Sequence, residues 1–386
     1  MILPPVLNDL PFDEIDNIDG YQTIGLIQKY YPNITCITLS DFIKNGITLN
    51  NNAGIYEWLD HRIDSLLSDG QTVYIMPSDE AIMGSPNAYF SNVLNQYNND
   101  DVYLITELDD ITYYTEEHNI RCKILELPWI ILNDCLAFHY ILNNNASTYK
   151  QYFNLTHKKK YNKNYLCMIG RVTYGQETHK IDLIEYLDKF NLATFGEITI
   201  QDSNDYANLP PNIQQICKVN HHAPYTEYDR NTSISLEGTN TKFHNANISY
   251  NTKNFFHILK EYTDIPLIIH PETTTGIFPS TEKSTWPILI GKLFLIYGRP
   301  GCTQWIQRFY DADISSFINT SYDNIDGWNS LASLNRLGEL IKNNKDLITN
   351  ADDIYQDMHP DLFDLGIQFT NNIYKFFISQ INSTLH

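Results

Sequence analysis

The sequence predicts an α/β protein built from two Rossmann-like, doubly wound domains. Three observations carry that expectation. Short, apolar, β-branched runs alternate with amphipathic stretches of helical period. Polar and mostly acidic residues follow those runs where a strand would hand over to a loop or helix. The chain, at 386 residues, is too long for one small core and suits two domains.

The first domain is expected over residues 1–150. Tyr21–Tyr31 reads as a helix leading into a strand at Ile34–Leu39. A turn at Asn50–Asn52 precedes a helix whose apolar positions Tyr56, Leu59, Ile63 and Leu67 share one face, and Gly70 stops it. Thr72–Met76 reads as a strand with the polar exit Pro77, Ser78, Asp79, Glu80. Ala88–Tyr97 is expected to be helical, and Asp101–Thr106 a strand with Glu107, Asp109 and Asp110 at its exit. Cys122–Trp129 is the next strand candidate and Ile130–Leu142 the next helix. This order favours a doubly wound domain over a helical bundle. Residues 143–163 are polar and read as the connection between domains, with the basic run His157–Lys160 as a solvated face.

The second domain is expected over residues 151–350. It opens with a strand at Tyr165–Ile169, the exit Gly170-Arg171 and a helix at His179–Phe190. The stretch from Gln201 to Tyr250 is polar and shows no metal-ligand spacing around His221-His222 or Glu237. Asn251–Lys260 reads as a helix. It feeds the most informative passage, Asp264–Gly301, where strand-like runs at Ile265–Ile269 and Leu293–Tyr297 flank a short helix at Lys283–Ile290. Pro287 fits the first turn of that helix or the end of a shorter one. The three pieces form a βαβ crossover, whose ligand sites lie at the carboxyl ends of the strands. Glu272 follows the first strand, and Glu282-Lys283 opens the helix. Thr303–Phe309 and part of Ile325–Lys345 read as helices, and residues 351–386 as a helical segment, centred on Leu362–Ile381, that packs back on the body.

Charge narrows the function classes. With 26 Lys plus Arg against 46 Asp plus Glu, the formal net charge is -20, which weighs against a nucleic-acid scaffold. A small anionic ligand stays compatible, because a few local cations and helix N-termini hold a diphosphate inside an acidic protein. Six scattered cysteines form no redox or zinc motif and read as reduced structural thiols. The N-terminus turns acidic without a basic region and a long apolar segment, and no run of 18 apolar residues occurs. A cytoplasmic protein without a membrane span is the expectation. No Gly-x-Gly-x-x-Gly fingerprint, Walker loop or Gly-x-Ser-x-Gly elbow is present, which demotes NAD dehydrogenases, P-loop NTPases and serine hydrolases. Asp311-Ala312-Asp313 spells the metal-binding Asp-x-Asp but follows a short helix, and reads as a solvated turn.

Glu272-Thr273, a polar spacer, Ser280-Thr281-Glu282-Lys283, the helix end Ile290–Phe294 and Gly298–Gly301 resemble a pattern in glycosyltransferases of phages and large viruses. The same pattern distantly resembles the donor half of the α-1,3-fucosyltransferase family, and Tyr165–Ile169 with Gly170-Arg171 matches the start of that half. The resemblance covers Tyr161–Asn344. It implies a GT-B arrangement: two Rossmann-like domains facing a cleft, with the nucleotide-sugar, GDP-linked in the fucosyltransferases, held by the C-terminal one and no metal required. Lys283 and Arg171 would then contact the donor diphosphate, with His179-Lys180 substituting for a second basic residue. Glu282 would accept hydrogen bonds from ribose or sugar hydroxyls, Glu272 would lie near the donor sugar, and Tyr322 would border the nucleotide. An inverting enzyme also needs a base for the acceptor hydroxyl, drawn from the N-terminal domain, with Glu80 favoured over Asp79 and Glu107. The acceptor would be a glycan, a protein or a small hydroxyl compound, in the host cytoplasm for a viral protein. An inactive nucleotide- or carbohydrate-binding protein of the same fold is the alternative. A viral DNA-base glycosyltransferase is a third reading and would require a local basic trough.

Overall fold

A computed structural model of the chain describes residues 7, 22–38, 52–76, 92–97, 101–106, 119–129, 131–136, 138–139, 161–169, 172, 178–200, 203–219, 234–235, 242–243, 265–272, 282–325 and 330–385. It is a two-domain α/β protein with separate parallel sheets flanked by helices. One compact unit comprises Met1–Asn133 with Ile373–His386, and the other Asp134–Asn372.

In the first unit, helix α1 (Gln22–Tyr30) leads into β1 (Ile34–Thr38), and α2 (Asn52–Ser68) into β2 (Thr72–Met76). Strands β3 (Val102–Thr106) and β4 (Lys123–Glu126) complete a parallel sheet in the order β1-β2-β3-β4. The expected strand from Cys122 to Trp129 is shorter, because Trp129 and residues 131–136 are already helical. β2 and β3 are buried almost throughout, as strands covered on both faces must be. The last residues of the chain close this core. Ile373, Phe377 and Ile381 are fully buried, and the Tyr74 hydroxyl lies 2.6 Å from Thr384 Oγ1.

The second unit carries the sheet that positions the site. Its strands are β5 (Tyr165–Ile169), β6 (Gly196–Ile200), β7 (Lys218–Val219), β10 (Leu267–Pro271) and β11 (Leu293–Tyr297), with the two-residue strands β8 (Ile234–Ser235) and β9 (Lys242–Phe243) paired apart from them. All five are parallel, in the order β11-β10-β5-β6-β7. The chain therefore builds outward from β5 through β6 to β7, then returns to lay β10 and β11 on the other side of β5. Helices α3 (Thr178–Lys189), α4 (Ser203–Ala207), α5 (Pro211–Ile216), α6 (Glu282–Leu289), α7 (Cys302–Gln307), α8 (Ser330–Asn343), α9 (Lys345–Thr349) and α10 (Ala351–Ser383) follow in chain order, and α8 packs on α3. None of the described helices is long and apolar enough to cross a membrane.

The βαβ passage from β10 through α6 to β11 forms as its sequence pattern predicts, in parallel register from Leu267 opposite Leu293 to Pro271 opposite Tyr297. Strand β10 sits two residues later than its apolar run suggests, since Pro271 still pairs across to β11. Pro287 lies in the last turn of α6, not in its first. The helix tolerates it because α6 is short and its C-terminal end is firmly closed. Lys292 N donates to Pro287 O at 2.8 Å and Gly291 N to Ile288 O at 3.1 Å, a Schellman ending with Gly291 left-handed at φ 66°. A Cβ on Gly291 would stand 2.8 Å from the Phe363 backbone, and one on Gly366 would stand 2.5 Å from Ile288 O. Helix α10 therefore crosses the end of α6 in backbone contact.

The amino edge of the same sheet is tied separately. Lys292, just before β11, is buried with its ammonium 4.6 Å from the Tyr355 ring centroid and 5.3 Å from that of Tyr161. Asn164, just before β5, donates through Nδ2 to Ile348 O and Thr349 O at the end of α9.

Candidate functional site at the carboxyl edge of the second sheet

In an open parallel sheet the strand order reverses at one point, and the loops on either side of it leave in opposite directions and open a crevice at the carboxyl ends. In the second unit that point lies between β5 and β10. The two strands pair only from Leu267 opposite Tyr165 to Ile269 opposite Cys167. Pro271 has no N–H to offer β5, so its place in the sequence fits the end of this ladder two residues before the β10–β11 ladder ends. The strands thus part on the side where a ligand would enter.

Glu272 stands directly beyond β10 and is fully buried. Its N–H donates to Tyr297 O at 2.8 Å, prolonging the β10–β11 ladder by one bond. Its carboxylate accepts a short hydrogen bond from Ser284 Oγ in the first turn of α6, so the strand exit is bolted to the helix start. Its carbonyl oxygen lies 2.8 Å from His179 Nε2, and because a carbonyl only accepts, that nitrogen carries the proton and donates. His179 is in the first turn of α3, the helix after β5, and its ring stands 5.9 Å from that of Tyr297. One residue therefore joins the elements on both sides of the reversal. Gly298 leaves room for it: a Cβ there would stand 3.2 Å from Glu272 Cγ.

The surrounding contacts hold this edge rigid. Val172, just past Gly170-Arg171, donates its N–H to Asp205 Oδ2 in α4 at 2.8 Å. Tyr297 OH donates to Ser333 O at 2.7 Å, and Arg336 Nη2 to Gly298 O at 3.3 Å, fastening α8 to the exit of β11. Asp323 accepts from Gly301 N at 3.0 Å and Thr303 N at 2.8 Å, and from the Thr303 hydroxyl, thereby capping α7 from a distance in sequence. Burial pushes the Asp323 carboxyl above the usual carboxylate range despite those bonds. Cys302 is fully buried among these groups, and burial first, then the Asp323 and Glu272 carboxylates, push its thiol well up, while Arg299 pulls the other way. It is a structural thiol, not a nucleophile.

The expected site residues fall into three groups. Glu272 and Lys180 lie at the reversal, Lys180 buried in the first turn of α3 next to His179. Glu282 and Lys283 are the first two residues of α6, adjoining Ser284; their backbone is described and their side chains lie outside the described residues. Tyr322 is not brought to the crevice: its ring is buried and its hydroxyl donates to Ile296 O at 2.8 Å, inside the strand. Asp79, Glu80, Glu107 and Arg171 lie outside the described residues. Asp311 and Asp313 are engaged locally, Asp311 with Asn372 Nδ2 and Asp313 with the N–H and hydroxyl of Ser315.

Ser284 and Asp205 belong to this edge beyond the expected site residues. Ser284 immediately follows Glu282-Lys283, whereas no local pattern marks Asp205. Comparisons of the chain with family models, curated proteins and solved structures return no match.

Proposed function

We propose that the chain is a glycosyltransferase of GT-B type that moves a sugar from a nucleotide-diphosphate sugar to a hydroxyl acceptor, with the donor at the carboxyl edge of the second unit. The observation that supports this reading is the strand-order reversal between β5 and β10, with Glu272 joining the starts of α3 and α6 beside it. In this reading the Lys283 ammonium, with Arg171 and Lys180, neutralises the diphosphate as the bond to the anomeric carbon breaks, and Glu282 orients sugar or ribose hydroxyls. Glu272 acts as a positioning residue. Its carboxylate is occupied by Ser284, and through that bond it sets where α6 begins. Glu80, with Asp79 and Glu107 as the other candidates, takes the acceptor proton. Metal independence and preference for GDP-linked donors follow from the resemblance to fucosyltransferases.

A screen of nucleotide-sugars for hydrolysis, run with and without EDTA, tests the reading. Turnover of one donor that survives EDTA is expected. Nucleotide or saccharide binding without turnover of any donor, even with acceptor mixtures present, would replace it with the inactive-binder alternative.

A further inference from the structure

The second unit also has an open cleft beside its edge strand β11. It holds about 640 Å³, within the range of small-ligand sites at roughly 300–1,000 Å³. Its walls are the residues after α7 and the junction of α8 with α9. Asn344 and Leu347 set one end of this cleft by α9, whose end Asn164 ties to the residue before β5, and Asn324, bonded to Gln304 of α7, sets the other end toward the exit of β11. Phe317, on its floor, packs edge-to-face on Phe294 near the start of β11, which places the cleft along the β11 edge of the sheet.

The chemistry of the lining is selective. Among the described residues its lining has no Lys, Arg or His and a single carboxylate, Asp346. The remaining polar groups are neutral amides and hydroxyls. Several are pre-set by internal bonds that leave one hydrogen-bonding atom over. Asn319 Oδ1 accepts from Ser321 N and Oγ at 3.1 and 2.6 Å, which leaves the Asn319 Nδ2 donors for a ligand. Asn324 Oδ1 accepts from Gln304 Nε2 at 2.8 Å, leaving its Nδ2. Asn343 Nδ2 donates to Ser321 Oγ and Glu339 Oε2, leaving Oδ1 as an acceptor. Thr320 contributes a hydroxyl that can do either.

We infer that this cleft is a binding site for a neutral polyhydroxylated ligand, one or more sugar residues of a glycan. Outward amide donors and acceptors in one neutral lining suit the hydroxyls of a pyranose, and the half-buried Ile354 adds apolar surface for its C–H face. An anionic ligand would meet Asp346 with no cation among the described lining residues to offset it. The site does not rest on the glycosyltransferase reading.

The test is saturation-transfer NMR on the full chain with glucose, galactose, N-acetylglucosamine, maltose and lactose, and with glucose 6-phosphate as the anionic counterpart. Transfer to at least one neutral saccharide is expected, with glucose 6-phosphate weaker than glucose and with no displacement by GDP or UDP. Asn319→Asp with Asn324→Asp keeps both Oδ1 acceptors while replacing the outward donors by carboxylate oxygens. The double variant should lose about tenfold or more in saccharide affinity at an unchanged melting temperature. Thr320→Val, which touches none of those bonds, should weaken binding independently. Absence of transfer from every neutral saccharide, displacement by GDP, or unchanged binding in both variants would overturn the proposal. Failure of the donor screen alone would leave it standing.

Discussion

Gly366→Ala sets two opposing effects against each other at a place where the structure decides the sign. Gly366 lies within α10, and in a helix interior alanine is favoured over glycine by about 1 kcal/mol. The added Cβ, however, would stand 2.5 Å from Ile288 O and 2.9 Å from Leu289 O, both backbone atoms at the end of α6. Those carbonyls cannot step aside cheaply, since Gly291 is held left-handed and the Phe363 backbone already occupies the space beside it. Overpacking costs about 1–3 kcal/mol, and a clash with fixed backbone atoms falls in the upper part of that range, about 2–3 kcal/mol, so a net loss of roughly 1–2 kcal/mol remains after the helix gain is subtracted. For a domain of this size that is a fall of about 2–8 °C in Tm. Gln368→Ala, exposed on the same helix, is the control and should stay within about 0.5 kcal/mol of the parent. An unchanged or raised Tm for Gly366→Ala would refute the backbone contact between α10 and α6.

Two further outcomes follow from the buried polar groups. Asp323→Ala leaves the N–H groups of Gly301 and Thr303 without their acceptor and should cost about 2–4 kcal/mol by denaturant unfolding, with Asp323→Asn losing less because burial already penalises the charge. At high pH, Tyr31 is pushed up to about 12 by burial, and Tyr74, Tyr165 and Tyr310 are raised further. Their folded values exceed the unfolded value of 10.0, so their contribution is complete below that pH and is lost as pH rises through the folded values. Tyrosine ionisation followed at 295 nm should therefore appear together with loss of circular dichroism, and free titration of these rings in a still-folded chain would contradict their burial.

Strands β2, β5 and β11 are legible in the sequence with their observed bounds, because each is an unbroken apolar run between polar or glycine boundaries. β10 is displaced in the reading because Pro266 and Pro271 blur both of its ends, although Pro266 O still accepts from Leu293 N. β7, β8 and β9 are two residues each and leave no periodic trace. Helix α10 is legible as the helical segment 351–386, although Pro360 and the acidic stretch before it leave its periodicity clear only over Leu362–Ile381. The strand exits that frame the site are equally legible, but their assembly is not. The bond between His179 and the Glu272 carbonyl spans 93 residues and exists only because β10 returns beside β5, which no local pattern specifies. Tyr322 illustrates the opposite error: a residue next to a recognisable element points inward to Ile296 O.

In the proposed function the start of α6 holds the diphosphate of a nucleotide-sugar, and calorimetric titration of GDP and UDP into the parent chain and into Lys283→Ala measures that contact. The parent is expected to bind at least one of the two, and the variant to lose about tenfold or more in affinity, as for one charge-assisted hydrogen bond, at an unchanged Tm. Equal affinity in a folded Lys283→Ala chain, or no binding of either nucleotide by the parent, would contradict it.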